Sequence, residues 1–416
     1  MSDPQFDLPP SGISPSQSAP DGAGKGSLTE LALFFLRLGT TAFGGPAAHI
    51  AIMEDELVRR RKWLSREKFL DLIGASNLIP GPSSSELAIH IGYLRCGWMG
   101  LVVGGACFIL PAAILVACIA WAYVRFGHLP AVAALLYGVK PVVVAVILQA
   151  LWGLGRTAVK NSFLAVAGVV CIVLSFLGIN ALLILAGTGT LIACWRAYSA
   201  AREKRRVMGR GGSLAIARAF RVQAAKLLPF AGAGAAVTMA PRLWTIFLAF
   251  LKIGSIVFGS GYVLLAFLRT DMVVHRAWVT DAQLVDAVAI GQVTPGPVFT
   301  TATFLGYLLR GPAGAVVATV GIFLPAFILV AISGPLIPRI RGSAIAGAFL
   351  DGVNVASLAL MAVVSYQLGR SSIVDGLTIG LAIASAVLLM RFRVNSAWLV
   401  LGGALAGIAA QMVRGS

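Results

Sequence analysis

A segment near residue 35 returns near residue 250 with its punctuation intact. Phe35, Gly39, Phe43 and Gly44 find Phe250, Gly254, Phe258 and Gly259, and Trp63 finds Trp278. Asp71 finds Asp286, and Pro80-Gly81-Pro82 finds Pro295-Gly296-Pro297, all at an offset of 215. A one-residue slip then sets the offset at 214, which pairs Gly92-Tyr93-Leu94 with Gly306-Tyr307-Leu308, Pro111 with Pro325 and Gly138 with Gly352. Order held over so long a stretch makes the half-chain the unit of architecture.

Apolar runs fill the space between these marks. Those at 101–123, 131–155 and 313–333 have the roughly 20 residues that a helix needs to cross a bilayer core of about 30 Å. Only 12% of the 416 residues are charged and 58% are apolar, which excludes a soluble globular chain. The fold class is an all-α polytopic membrane protein, multi-pass in the inner (plasma) membrane. Residues 1–27 are rich in Ser, Pro, Gly and Asp, lack a signal-peptide core and read as a disordered tail. The five cysteines form no CxxC pair, so neither a metal site, a disulfide framework nor a cofactor is expected. Much of the +17 charge sits in two blocks, 59–68 and 196–226. Basic loops of that kind fix membrane orientation, and nucleic acid is not an expected partner.

The halves, 28–198 and 242–416, flank a basic cytoplasmic linker at 199–241 and carry six apolar elements each. The loop after the first element holds Arg59, Arg60, Arg61, Lys62, Arg66 and Lys68, whereas its counterpart, with Arg269, Asp271, His275, Arg276 and Asp281, is nearly neutral. Equivalent loops of opposite bias imply opposed orientations, an inverted repeat. Keeping both basic blocks inside requires an even number of crossings between them. One of the five intervening elements must then turn back, and the Pro-Gly-Pro element is the natural candidate. About ten transmembrane helices result, with re-entrant or broken helices at the Gly-Gly-Pro and Pro-Gly-Pro motifs.

Broken helices at membrane depth survive only inside protein or beside a wet cavity, and their half-helix N-termini attract anions. Pro80, Gly81 and Pro82 are followed by Ser83, Ser84 and Ser85, while Pro295, Gly296 and Pro297 are followed by Thr300 and Thr301. Hydroxyls and N–H groups in a first helical turn suit an oxyanion. The rival reading is that the turns only kink helices and the hydroxyls bond back to their own backbone. Gly44, Gly45 and Gly259 mark the matching earlier break, and Asn77 and Gln292 precede the Pro-Gly-Pro turns by equal spacing as neutral donors. Arg37 and Lys252 stand at equivalent places and either counter a dianion or snorkel to the headgroups. Asp71, Asp286 and Glu86 are the protonatable candidates, with His90 four residues beyond Glu86 on one helical face. Lys140 has Asn354 as its counterpart, so any role belongs to one half. His49, His128 and His275 show no ligand spacing and read as packing or interfacial residues.

The lines FLRLGTTAFGGPAAHIAIMEDELVRRRKWLS and NLIPGPSSSELAIHIGYLR, with FLKIGSIVFGSGYVLLAFLRTDMV and AIGQVTPGPVFTTATFLGYLLRG in the second half, resemble the chromate ion transporter family in its long two-domain form. The resemblance implies chromate efflux driven by the proton gradient, conferring chromate resistance, with sulfate as an isosteric competitor. It leaves open another oxyanion, uptake, an anion channel and a homodimer, and it implies no enzyme. The family commonly carries Gln where this chain has Asn77 and Glu86. A carboxylate in place of an amide repels an anion unless it is protonated.

Overall fold

Polar or conformationally special residues set where the helices begin. Ser27, Ser65, Asn161, Thr280 and Asp375 each accept a backbone N–H of the first turn that follows them, satisfying a donor the helix cannot. The structure is a computed structural model that describes residues 27–43, 45–77, 79–127, 129–207, 241–257, 263–333, 344–392 and 394–415. In the first half α1 spans Leu28–Thr41 and α2 Gly45–Met53, continued by π-helical turns over Glu54–Arg60. Then come α3 (Arg66–Ser76), α4 (Ser83–Phe126), α5 (Pro130–Ala158), α6 (Ser162–Phe176) and α7 (Ala181–Val207). The second half repeats them as α8 (Leu243–Ile256), α9 (Leu264–Leu268) with π-helical turns over Arg269–His275, and α10 (Asp281–Val293). A 3-10 turn, Val298–Thr300, then leads into α11 (Thr301–Ser333), followed by α12 (Ala344–Ser372), α13 (Gly376–Arg391) and α14 (Ser396–Gly415). The tail and most of the linker lie outside the described residues, and so do Gly44, His128 and Gly259.

The duplication reaches down to single backbone angles. Six left-handed residues fall into three matched pairs: Lys62 with Ala277, Gly81 with Gly296, and Gly97 with Gly311. The last pair marks where α4 and α11 bend, at Cys96-Gly97 and Arg310-Gly311. Six helices among the described residues are long and apolar enough to cross a membrane, and 162–176, 243–256 and 376–391 are shorter apolar ones. At 1.5 Å per residue a 14-residue helix such as α8 covers about 21 Å, so the interrupted elements do not cross in one piece.

Contacts along α5 and α12, and just past their ends, settle how the halves are related. Tyr137 bonds Asp375, and Val144 lies 3.7 Å from where a Cβ on Gly369 would stand. Gly155 faces Leu358 at the same separation, and Lys160 Nζ lies 2.7 Å from Asp351 Oδ1. Numbers rise along one helix as they fall along the other. Both helices are of membrane-crossing length, so equivalent helices traverse in opposite directions and the repeat is inverted.

The halves also interlock. Within each half α1 packs on α4 and α8 on α11, whereas α6 and α7 pack on α12, and α13 and α14 on α5. Small residues allow the close crossings: Gly138 abuts Gly403 and Gly407, and a Cβ on Gly352 would stand 2.8 Å from Gly189 Cα. Between membrane helices such backbone approach supplies the dispersion contact that burial from water cannot. The largest apolar cluster accordingly joins both halves, from Val116 and Val143 to Phe250, Phe299 and Phe304.

Candidate functional site

Two prolines leave a Pro-Gly-Pro turn one backbone donor, the glycine N–H. Gly81 N–H donates to Val257 O at 2.6 Å, and Gly296 N–H donates to Ala42 O at 3.0 Å. Ala42 and Val257 are the residues at which α1 and α8 end. Each half therefore docks its Pro-Gly-Pro turn on the broken first helix of the other. A side chain at Gly296 would meet Ala112 Cβ at 2.7 Å and Gly39 O at 3.2 Å, and one at Gly81 would meet the Glu86 carboxylate. Pro82, Pro295 and Pro297 are buried with the glycines, and Pro80 is half-buried.

The first-half turn opens onto a buried polar cluster. Ser83, Ser84, Ser85, Glu86 and His90 are all buried. Both Glu86 oxygens, Ser85 Oγ and His90 Nε2 have no hydrogen-bond partner among the described residues. A carboxylate with neither counter-charge nor donor is costly as an ion, which disfavours the charged form of Glu86. His49 joins the cluster to the helix break. Its Nε2 lies 3.1 Å from Ala42 O, its Nδ1 3.4 Å from Ser84 Oγ, and its ring meets Phe108 edge-on. Sequence reasoning set this histidine aside as packing. Its counterpart in the repeat is Leu264, so the duplication carried no signal for it.

The second-half turn is used differently. Thr300 donates to Pro297 O at 2.9 Å and Thr301 to Val298 O at 2.8 Å, so both hydroxyl protons are spent on their own turn in this state. Pro297 O and Val298 O also accept the backbone N–H groups of Thr300 and Thr301, so each hydroxyl doubles a bond its own turn already makes. Gln292 is buried, whereas its counterpart Asn77 is exposed at the end of α3. Gly45 starts α2 with a φ of 74°.

The flanking charges do not converge on the turns. Lys252 Nζ is held by Asp271 at 2.8 Å, with Arg276 on the other carboxylate oxygen at 2.9 Å. Arg37 is exposed on α1. In its half the equivalent carboxylate, Glu56, binds Arg61 at 3.2 Å and Arg60 at 3.4 Å instead. Asp71 is half-buried, whereas Asp286 is buried and holds Tyr123 Oη at 2.8 Å and Lys140 Nζ at 3.2 Å. The pairing of Lys140 with Asp286 was not legible from residues so far apart in the chain.

A family model described as "Chromate transporter" matches residues 29–193 and 244–408, one match per half. The chain belongs to the chromate transporter family. It is 34% identical to a chromate transport protein of Cupriavidus metallidurans, covering 92% of this chain and 93% of that one. It is 30% identical to a chromate transport protein of Pseudomonas aeruginosa, covering 92% of each. A probable chromate transport protein of Synechococcus elongatus is 31% identical over 84% of this chain and 86% of its own length. No solved structure matches. The two family matches fall on the same halves that pair helix for helix.

Proposed function

We propose that this chromate transporter family member is a secondary active transporter that moves a tetrahedral oxyanion, chromate, out of the cytoplasm across the inner membrane with coupling to protons. Export of that kind confers chromate resistance. The observation that carries the reading is the reciprocal docking of the two Pro-Gly-Pro turns on the opposed broken helices. It brings N-terminal helical turns from inverted halves to one interface, the arrangement that inverted-repeat transporters use for anions. Ser83, Ser84 and Ser85 supply hydroxyls on one side. Thr300 and Thr301 supply them on the other once their own-turn bonds open. Glu86, Asp71 and Asp286 are the proton carriers, and Arg37 and Lys252 add positive charge at the approaches. Helices docked through a few hydrogen bonds and small-residue crossings can change partners, as alternating access requires.

Proteoliposomes loaded with unlabelled chromate or sulfate and given labelled chromate outside test the reading. Exchange driven by internal chromate is expected, with sulfate competing as an isosteric dianion. No chromate entry under any gradient would remove the assignment. Entry with sulfate alone as an effective partner would point to a sulfate carrier.

A further inference from the structure

Lys140 and Asp286 meet across the inverted halves, one from α5 and the other from α10, with Nζ 3.2 Å from Oδ1. Tyr123, near the end of α4, donates to the other oxygen at 2.8 Å. Among the described residues, these are the charged or titratable side chains from the elements packed on α10 seen to pair with Asp286. The Asp286 side chain is sealed at 4% exposure while that of Lys140 keeps 23%. Oδ1 also lacks a hydrogen bond of good geometry despite the nearby ammonium. The cation is thus the more exposed, reachable partner of the pair. The trio is built once: Asp71 repeats Asp286, but Asn354 stands in the place of Lys140 and Ile337 in that of Tyr123.

We propose that Lys140 is a cation that receives the oxyanion, and that Asp286 is its internal competitor, releasing Lys140 only on taking up a proton. One ammonium in a low-dielectric interior cannot neutralise a dianion and a carboxylate together, so the two anions exclude each other. When Asp286 becomes the neutral acid, Lys140 is left uncompensated and the oxyanion takes the carboxylate's place. Tyr123 keeps its bond to the carboxyl oxygen throughout and positions the acid. One proton enters this site with each anion bound. The inference rests on the transporter reading and adds to it a ligand and a proton count.

Calorimetric titration of the purified full chain with chromate, and in parallel with sulfate, tests it across about two pH units, with proton uptake followed in weak buffer. The wild type is expected to lose affinity by up to about tenfold per pH unit on the alkaline side, with about one proton taken up per anion. Lys140→Gln should weaken binding at least about tenfold, the loss of one buried charge-assisted contact. Asp286→Asn should bind with affinity indifferent to pH and without proton uptake. The double variant leaves no uncompensated charge, which separates ligand loss from misfolding, and it should bind as weakly as Lys140→Gln. A double variant that binds as tightly as Asp286→Asn overturns the role of Lys140. An Asp286→Asn variant that still takes up the proton overturns that of Asp286. A wild type that binds neither anion removes the transporter reading itself.

Discussion

Glu86 has no exposed surface, and neither of its oxygens has a hydrogen-bond partner among the described residues. Glu86→Gln keeps the shape and removes the titration, so chromate flux should become less dependent on pH at unchanged protein yield. A Gln variant with the wild-type pH profile would take Glu86 out of the coupling. His49→Leu copies the residue that the second half carries at Leu264. It removes the link between Ala42 O and Ser84 Oγ and should cost about 1 kcal/mol, read as a lowered Tm. Ser83–Glu86 were legible in the sequence because they follow a duplicated Pro-Gly-Pro turn. His49 was not, because its role comes from a contact with α4 that only folding makes. The hydroxyl protons of Thr300 and Thr301 were assigned to an anion but are held by their own turn, because local carbonyls compete for them first.

Helix breaks and crossings depend on residues that lack a side chain. Gly296 has a φ of 91°, and a Cβ there would stand 2.7 Å from Ala112 Cβ, a backbone-anchored atom. The obstacle at Gly81 is chiefly the flexible end of Glu86. Gly296→Ala should therefore destabilise by about 3 kcal/mol, the sum of overpacking and left-handed strain, and by more than Gly81→Ala. Thermal unfolding in detergent reads the difference, and equal losses would contradict it. At the crossings, Gly138→Ala drives a methyl into the backbone of α14 at Gly403, while Gly187→Ala meets nothing within 4 Å. The first should lower Tm and the second leave it unchanged. The helix breaks followed from the repeat because prolines and glycines are local signals. The π-helical turns after α2 and α9 did not, since nothing in Glu54–Arg60 distinguishes them from an ordinary helix.

Inversion could be read from loop charge alone, but the way the halves interlock could not. Positive charge at 59–68 against a near-neutral 269–281 already required opposed orientations, and the antiparallel course of α5 and α12 agrees. That α7 leaves its own half for α12, and α14 its own for α5, depends on packing between distant segments, for which no periodicity speaks. Lys62 and Ala277 are equivalent, exposed and left-handed, so single cysteines there in a cysteine-free background report the sides directly. An impermeant maleimide should label position 277 in intact cells and position 62 only after permeabilisation. Labelling of both from one side would mean parallel halves.

The central claim is that opposed halves hold one oxyanion and move it with protons. The most direct measurement follows labelled chromate and internal pH together in the same proteoliposomes under an imposed pH gradient. Chromate movement that responds to the gradient and carries a pH change, with that response and pH change reduced in Glu86→Gln and Asp286→Asn, is the predicted result. Chromate flux that ignores the gradient and leaves internal pH untouched would mean a channel and would contradict it.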